Sequence, residues 1–239
     1  MRITDRVTLL EAKGDRMAVN PVILSDDNIT IMVDTSIPGA LPDILAAMQE
    51  NSIHPESINR LIFTHQDMDH IGSARDVKDL APHLITMSHP EEAPYTDGSK
   101  TPIKMAARLA AMNTLPAEEQ QRLRDSQATA AKCSITIDDY IQDGQVLPYC
   151  GGITVIHTPG HTPGHICLLC EGILIAGDAL NAGSGELRGP NPVHTYDMAL
   201  AMASVKKLMQ YPIKAVCCFH GGLFEGDVQA ALAAIVAGT

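Results

Sequence analysis

Strand-like apolar runs in this chain end, again and again, in histidine or aspartate. "RLIF" leads into His65 and His70, "ITVIHTPG" contains the approach to His161, "ILIAG" precedes Asp178, and "AVCCF" precedes His220. Loops at one edge of a sheet scaffold are where binding and catalytic residues are usually placed. Any one of these residues, taken alone, reads as a satisfied turn residue. Their recurrence at strand ends argues for a shared site. The densest stretch, "FTHQDMDHIG" at 63–72, puts His65, Asp67, Asp69 and His70 within six positions. Imidazole and carboxylate are the usual ligands of divalent first-row metals, and one cation takes roughly four to six donors, water included. The candidates His65, Asp67, Asp69, His70, His161, Asp178 and His220 therefore suggest two cations.

The rest of the chain supplies the scaffold. "RVTLLEA", "PVILS" and "NITIMVD" read as strands separated by turn residues. Leu41, Ile44, Leu45 and Met48 then share one helical face. "RLIF" and "HLITMSH" read as further strands. Residues 93–132 differ in kind, with two Ala-, Gln-, Arg- and Glu-rich helices that start at prolines. Strands resume at "SITIDDY", "GGITVIHT", "HICLLC", "GILIAGD" and "IKAVCCFH". A helix is predicted over 196–209 with Met198, Met202, Val205 and Met209 on one side, and a last one has Val228, Leu232, Ile235 and Val236 in phase. Strands followed by helices in both halves suggest sheets packed together and covered by helices.

With 239 residues the chain can bury its own core, and its formal charge of −11 disfavours nucleic acid and anionic membranes as partners. A small-molecule substrate is expected. The N-terminal stretch lacks the apolar region of a signal peptide, and the run "ICLLCEGILIAG" is too short to span a bilayer, so a soluble cytoplasmic protein is expected. Nothing in the composition defines an oligomeric state. The six cysteines read as reduced. Cys167 and Cys170 form a C-x-x-C, but residues three apart on a strand face opposite sides, so they read as buried small hydrophobes.

"THQDMDHIG", "HTPGHTPGH", "AGD" and "FHGG", together with "IMVDT" at 31–35, resemble the metallo-β-lactamase superfamily in the right order and over nearly the whole chain. The resemblance implies an α/β fold, a four-layer αββα sandwich of two mixed β-sheets flanked by helices. It implies a single domain over 1–239 with a helical insertion at about 93–132, and a metal site at one edge of the sheets. Carried over by position, His65 and His161 match ligands of the first metal site. Asp69, His70 and His220 match the second, and Asp178 the carboxylate that bridges both. Asp34 matches an aspartate that steadies the site from behind the ligands. His165 is placed behind the ligands or near the pocket. Position 67 departs from the family's H-x-H-x-D-H motif, with Asp where histidine is usual.

The resemblance implies two divalent metal ions, zinc by family default, and a metal-activated hydroxide as nucleophile, with Asp69 orienting it or shuttling its proton. With histidine at 67, two divalent ions, two carboxylates and a hydroxide would leave one net positive charge; Asp67 brings the count to zero. A harder oxygen donor also favours iron or manganese over zinc. The expected reaction is hydrolysis of a small ester, lactone, thioester or amide. Alternatives are a phosphodiester hydrolase, an iron-dependent thiol or persulfide oxidoreductase, and a binding protein without turnover. Only 19 residues follow His220, which disfavours the glyoxalase II-like members with their added C-terminal helical region. The 93–132 helices are expected to roof the pocket, with Tyr95 and His194 as candidate substrate-binding residues. His157 reads as structural, and His54, His83 and His89 as turn or surface histidines.

Overall fold

Period-two alternation along the strands becomes three apolar layers in space. The structure is a computed structural model and describes residues 1–13 and 18–238. One six-stranded sheet runs, in chain order, through Val7–Leu9, Val22–Ser25, Thr30–Val33, Ile58–Ile62, Ile85–Ser88 and Asp139–Tyr140. Its first pairings are antiparallel, and from Thr30–Val33 onward they are parallel. The second six-stranded sheet holds Val146–Leu147, Ile153–His157, Ile166–Cys170, Ile173–Ile175, Ala215–Cys218 and Gly222–Phe224, again in chain order. Only Ile173–Ile175 and Ala215–Cys218 pair in parallel there.

The helices are α1 Leu41–Glu50, α2 Met68–Ile71, α3 Ala74–Leu80, α4 Ala93–Thr96, α5 Ile103–Ala110, α6 Ala117–Cys133, α7 Met198–Leu208 and α8 Val228–Ala237. Parallel neighbours need crossover connections, and that is where most of these helices fall. Ile31, Val33, Ile62 and Met87 meet Val155, Ile166, Leu168 and Ile175 between the two sheets. Met32 and Leu61, on the opposite face of the first sheet, pack on Ile44 and Met48 of α1 and Val77 of α3. Cys167, Leu169 and Val216, on the outer face of the second, pack on Val205 and Leu208 of α7 and Leu232 of α8. The result is the four-layer αββα sandwich of two mixed β-sheets. Among the described residues no helix is long and apolar enough to cross a membrane.

The elements α5 and α6 stand apart from these layers. No residue of α5 is buried, and Leu123 and Cys133 are the buried residues of α6. Two local expectations need correction. "SITIDDY" contributes only Asp139–Tyr140 as strand. Before it, the Asp138 carboxylate accepts the Thr86 N–H at 3.0 Å and the Thr136 carbonyl accepts the Thr86 hydroxyl at 2.6 Å, so side-chain bonds take the place of part of the ladder. The buried residues of α7 are Ala201, Ser204, Val205 and Leu208, with Met202 and Met209 partly buried against the same layer, so the packed face includes Val205 of the expected side but is centred closer to Ala201 and Leu208. This helix is drawn onto the loop at Gly160, where a side chain would collide with the Ala201 backbone nitrogen at 2.2 Å.

All six cysteines are buried and free. Cys170 lies in the layer between the sheets and Cys167 in the layer under α7 and α8, so the C-x-x-C pair faces opposite ways. Burial pushes the Cys150, Cys167 and Cys217 thiols up to about 12 and Cys170 to about 11. Thiolate is the reactive form. Titration with a disulfide reagent at pH 8 is expected to find no fast-reacting thiol in the native protein and all six after denaturation; prompt labelling of the Cys167/Cys170 pair in native protein would contradict this packing.

Candidate metal centre

The candidate ligands lie just beyond strand ends, and the chain enforces that placement. Asp34 follows Thr30–Val33, and 65–70 follow its parallel neighbour Ile58–Ile62. Asp178 and His220 follow the parallel pair Ile173–Ile175 and Ala215–Cys218. The Thr64 carbonyl accepts the Ile166 N–H at 3.0 Å, tying the edges of the two sheets together beneath the site.

Two trios form there. One ligand atom each from His65, His161 and Asp178 lie within 4.8 Å of one another, and the same holds for Asp69, His70 and His220. Asp178 faces both: its Oδ2 is 3.4 Å from His161 Nε2, while its Oδ1 is 3.3 Å from His70 Nε2 and 3.5 Å from His220 Nε2. His220 Nε2 lies 3.1 Å from Asp69 Oδ2. Donors about 2.1 Å from a tetrahedral ion are separated by roughly 3.4 Å, so this spacing fits a cation in each trio. His65 Nε2, His70 Nε2 and Asp178 Oδ1 are buried without a hydrogen-bond partner. Leaving such atoms unbonded is costly, and a metal ion is what this donor set accepts.

Ligation needs neutral imidazole and ionised carboxylate, and His65 and Asp178 meet that requirement as they stand. Burial, and then the neighbouring His70, pulls His65 down to about 4. Against the opposing effect of burial, His70 and the other imidazoles hold the Asp178 carboxyl well below its usual range. For His70, burial is outweighed by Asp34, Asp69 and Asp178, which hold it well above the usual imidazole value. Those carboxylates surround a point that favours positive charge.

Tautomers are set from behind. Asp34 Oδ2 accepts from His70 Nδ1 at 2.8 Å and from the Thr64 hydroxyl at 2.7 Å; its Oδ1 accepts the Thr64 N–H at 2.8 Å. The Thr64 hydroxyl proton is thereby committed, so Thr64 Oγ1 accepts from His65 Nδ1 at 3.1 Å. One buried carboxylate thus leaves the Nε2 lone pairs of both histidines facing the centre, the usual outer arrangement around a metal-ligating histidine. His165 is bonded at both nitrogens: Nε2 accepts the Asp178 N–H at 3.0 Å, and Nδ1 bonds Thr158 Oγ1 at 2.8 Å. It holds the Asp178 backbone and has no lone pair to offer a metal. At Gly177, φ +50°, any side chain would meet His165 Nε2 at 2.7 Å.

Asp67 occupies the N-cap of α2 but makes no side-chain cap bond, although aspartate is a favoured cap. Its carboxylate turns instead to the first trio, with Oδ2 3.1 Å from His161 Nε2 and 3.4 Å from His65 Nε2. Burial opposes ionisation there, yet His161, His65 and Lys104 hold the carboxyl well below its usual range.

Two participants carried no sequence signal. Lys104 of α5 ion-pairs with Asp67 Oδ2, and its Nζ is 3.0 Å from His161 Nε2. Glu92, fully buried, accepts the Gln66 N–H at 2.9 Å on one oxygen and the Gly164 N–H at 2.7 Å on the other. It clamps the His65–His70 loop to the His161–His165 loop. Neither was visible beforehand, because each acts through a fold contact far along the chain.

Other candidates separate. Tyr95 lines a cavity beside Asp67. His194 is exposed and is not among that cavity's lining residues. His54 and His83 are exposed. His89 is not a surface histidine; it is buried and stacks on His157, with ring centroids 4.2 Å apart and planes 8° apart. His89, Glu91 and His157 cluster closely enough to suggest a further metal group. However, the in-plane lone pairs of two parallel stacked rings cannot converge on one ion, and His157 Nε2 bonds the Pro163 carbonyl at 2.9 Å.

Two mixed sheets between helices, with histidines and aspartates converging at one edge, define a class of αββα metal-binding proteins. Residues 14–220 match the family model of the metallo-beta-lactamase superfamily, and the chain belongs to that superfamily. It is 26% identical over 202 residues to a hydroxyacylglutathione hydrolase of Klebsiella pneumoniae, covering 83% of this chain and 60% of that protein. It is also 26% identical over 221 residues to a "probable metallo-hydrolase" of Bacillus subtilis, covering 82% and 77% respectively. A metallo-beta-lactamase family protein from Thermus thermophilus superposes with a TM-score of 0.75 at 20% identity, covering 99% of this chain and 80% of that one. The chain thus spans only about 60% of the length of the hydroxyacylglutathione hydrolase it matches.

Proposed function

We propose that this chain is a metal-dependent hydrolase of a small ester, thioester, lactone or amide, working with two divalent cations in one domain whose 93–132 helices roof the pocket. The observation that carries the reading is Asp178, which turns one carboxylate oxygen to each trio. The names of the relatives, a hydroxyacylglutathione hydrolase and a metallo-hydrolase, support hydrolysis.

His65, Asp67, His161 and Asp178 would hold one ion, and Asp69, His70, His220 and Asp178 the other. The chemistry such a pair supplies is a water of lowered pKa and polarisation of the acyl oxygen. Asp69, ionised because His70 and His220 outweigh the opposing effect of burial, takes a proton from the attacking water and returns it to the leaving group. Lys104 restores the single positive charge that Asp67 removes. Metal-loaded protein assayed on matched thioester, lactone and bis-nitrophenyl phosphate substrates is expected to turn over an acyl substrate fastest. Turnover of the phosphodiester alone would overturn the assignment.

Asp67 supplies a harder donor than histidine. Elemental analysis is expected to find iron or manganese enriched in the wild type and a shift to zinc in Asp67→His. Full zinc occupancy in both proteins would contradict this role for Asp67.

A further inference from the structure

The cavity between the metal centre and the α5–α6 segment differs in sign from the rest of the molecule. Its volume is about 490 Å³, within the range of small-molecule sites. Asp67 lies on its inner side, Met68, Ile71, Met105 and Leu123 supply apolar wall, and Lys100, Lys104 and Arg108 line it too. A chain of net charge −11 has thus gathered three cations around one cavity.

They are not equivalent. Lys104 is committed to Asp67 and His161. Lys100 and Arg108 are exposed, and neither has a carboxylate partner among the ion pairs of the described residues. Lys100 Nζ stands 5.6 Å over the Tyr95 ring. Asp97, the other carboxylate of the lining, accepts the Ser99 N–H at 2.8 Å. The cavity therefore brings together the Asp67 side of the metal centre, an apolar wall and two exposed cations without a carboxylate partner.

We infer that this cavity binds an acyl substrate carrying an acid group several bonds from the scissile carbonyl, read at the mouth by Arg108 and Lys100. The inference rests on the hydrolase reading of the centre. Water would deliver its hydroxyl to the acyl carbon and its proton to the leaving group as the carbon–heteroatom bond breaks, while the acid group stays bound at the mouth. A charged hydrogen bond between ligand and protein is one of the strong ones, and an exposed one weakens with salt.

The test compares two thioesters of equal length, the half phenyl thioester of adipic acid and phenyl thiohexanoate, with zinc- or manganese-loaded protein. The expected kcat/KM favours the adipoyl substrate by roughly tenfold or more at low salt. That preference is expected to shrink with added salt and to fall by roughly tenfold or more in Arg108→Glu, with Lys100→Glu acting the same way. A merely structural role for Arg108 would lower both rates and keep their ratio. A ratio near one in wild type, or one unchanged in Arg108→Glu, overturns the inference. Calorimetry with adipate and hexanamide separates this failure from that of the hydrolase reading. If neither thioester turns over but adipate alone binds, more weakly in Arg108→Glu, the hydrolase reading fails and the cavity assignment stands. If adipate does not bind, the assignment falls.

Discussion

Asp178→Asn is expected to strip the centre of metal and lower turnover by roughly a thousandfold or more, beyond the roughly 10–100-fold that changes behind metal ligands cost. Asparagine keeps the shape and one oxygen. It removes the charge and presents an amide where an oxygen now faces His161 or the His70/His220 pair. One trio therefore loses an acceptor and gains a donor that no cation tolerates. The backbone is held independently, since the Asp178 N–H is bonded to His165, so the variant should fold. Circular dichroism, metal content and rate measured together check this. A folded variant with full metal and wild-type rate would remove Asp178 from the centre.

The largest stability effect is expected at Asp34. Asp34→Ala leaves the Thr64 N–H, the Thr64 hydroxyl and the His70 ring without their acceptor in a fully buried place. Breaking a buried charged network of this kind costs about 3–5 kcal/mol, and alanine at φ 58° adds backbone strain. A urea unfolding curve should show the loss. Asp34→Asn is milder, because asparagine tolerates that backbone, but it acts on metal. Its amide would donate to His70 Nδ1, moving the ring proton to Nε2 and removing the lone pair that faces the second trio. Metal affinity is expected to fall by roughly 10–100-fold. Wild-type affinity in Asp34→Asn would show that the tautomer is set elsewhere.

What could be read before the structure follows from the range of the forces involved. Alternation in "NITIMVD" and "HICLLC" is local, and it places Met32 and Cys167 on the outer faces, with Ile31 and Ile166 between the sheets. The convergence of His65, Asp69, His70, His161, Asp178 and His220 was legible because each follows a strand end within a few residues. Glu92 and Lys104 were not, since a clamp from 92 to 164 and an ion pair from 104 to 67 leave no spacing to detect. The centring of the packed α7 face on Ala201 goes with its close approach to Gly160, some forty residues away, which no local spacing reveals. His89 was misread because only a stacking partner on another strand, His157, makes its burial intelligible. Asp67 is the member of its loop that departs from the family motif. Its carboxylate reaches the cluster with the cation it needs already beside it.

The two trios bridged by Asp178 are expected to bind metal and to drive hydrolysis with it. Metal-stripped protein titrated with zinc or manganese, with bound metal and thioester turnover followed in the same sample, tests this most directly. Activity is expected to be absent without metal and to rise to a plateau as two equivalents bind per chain. Turnover in stripped protein, or tight binding of metal that brings no turnover of any acyl substrate, would contradict it.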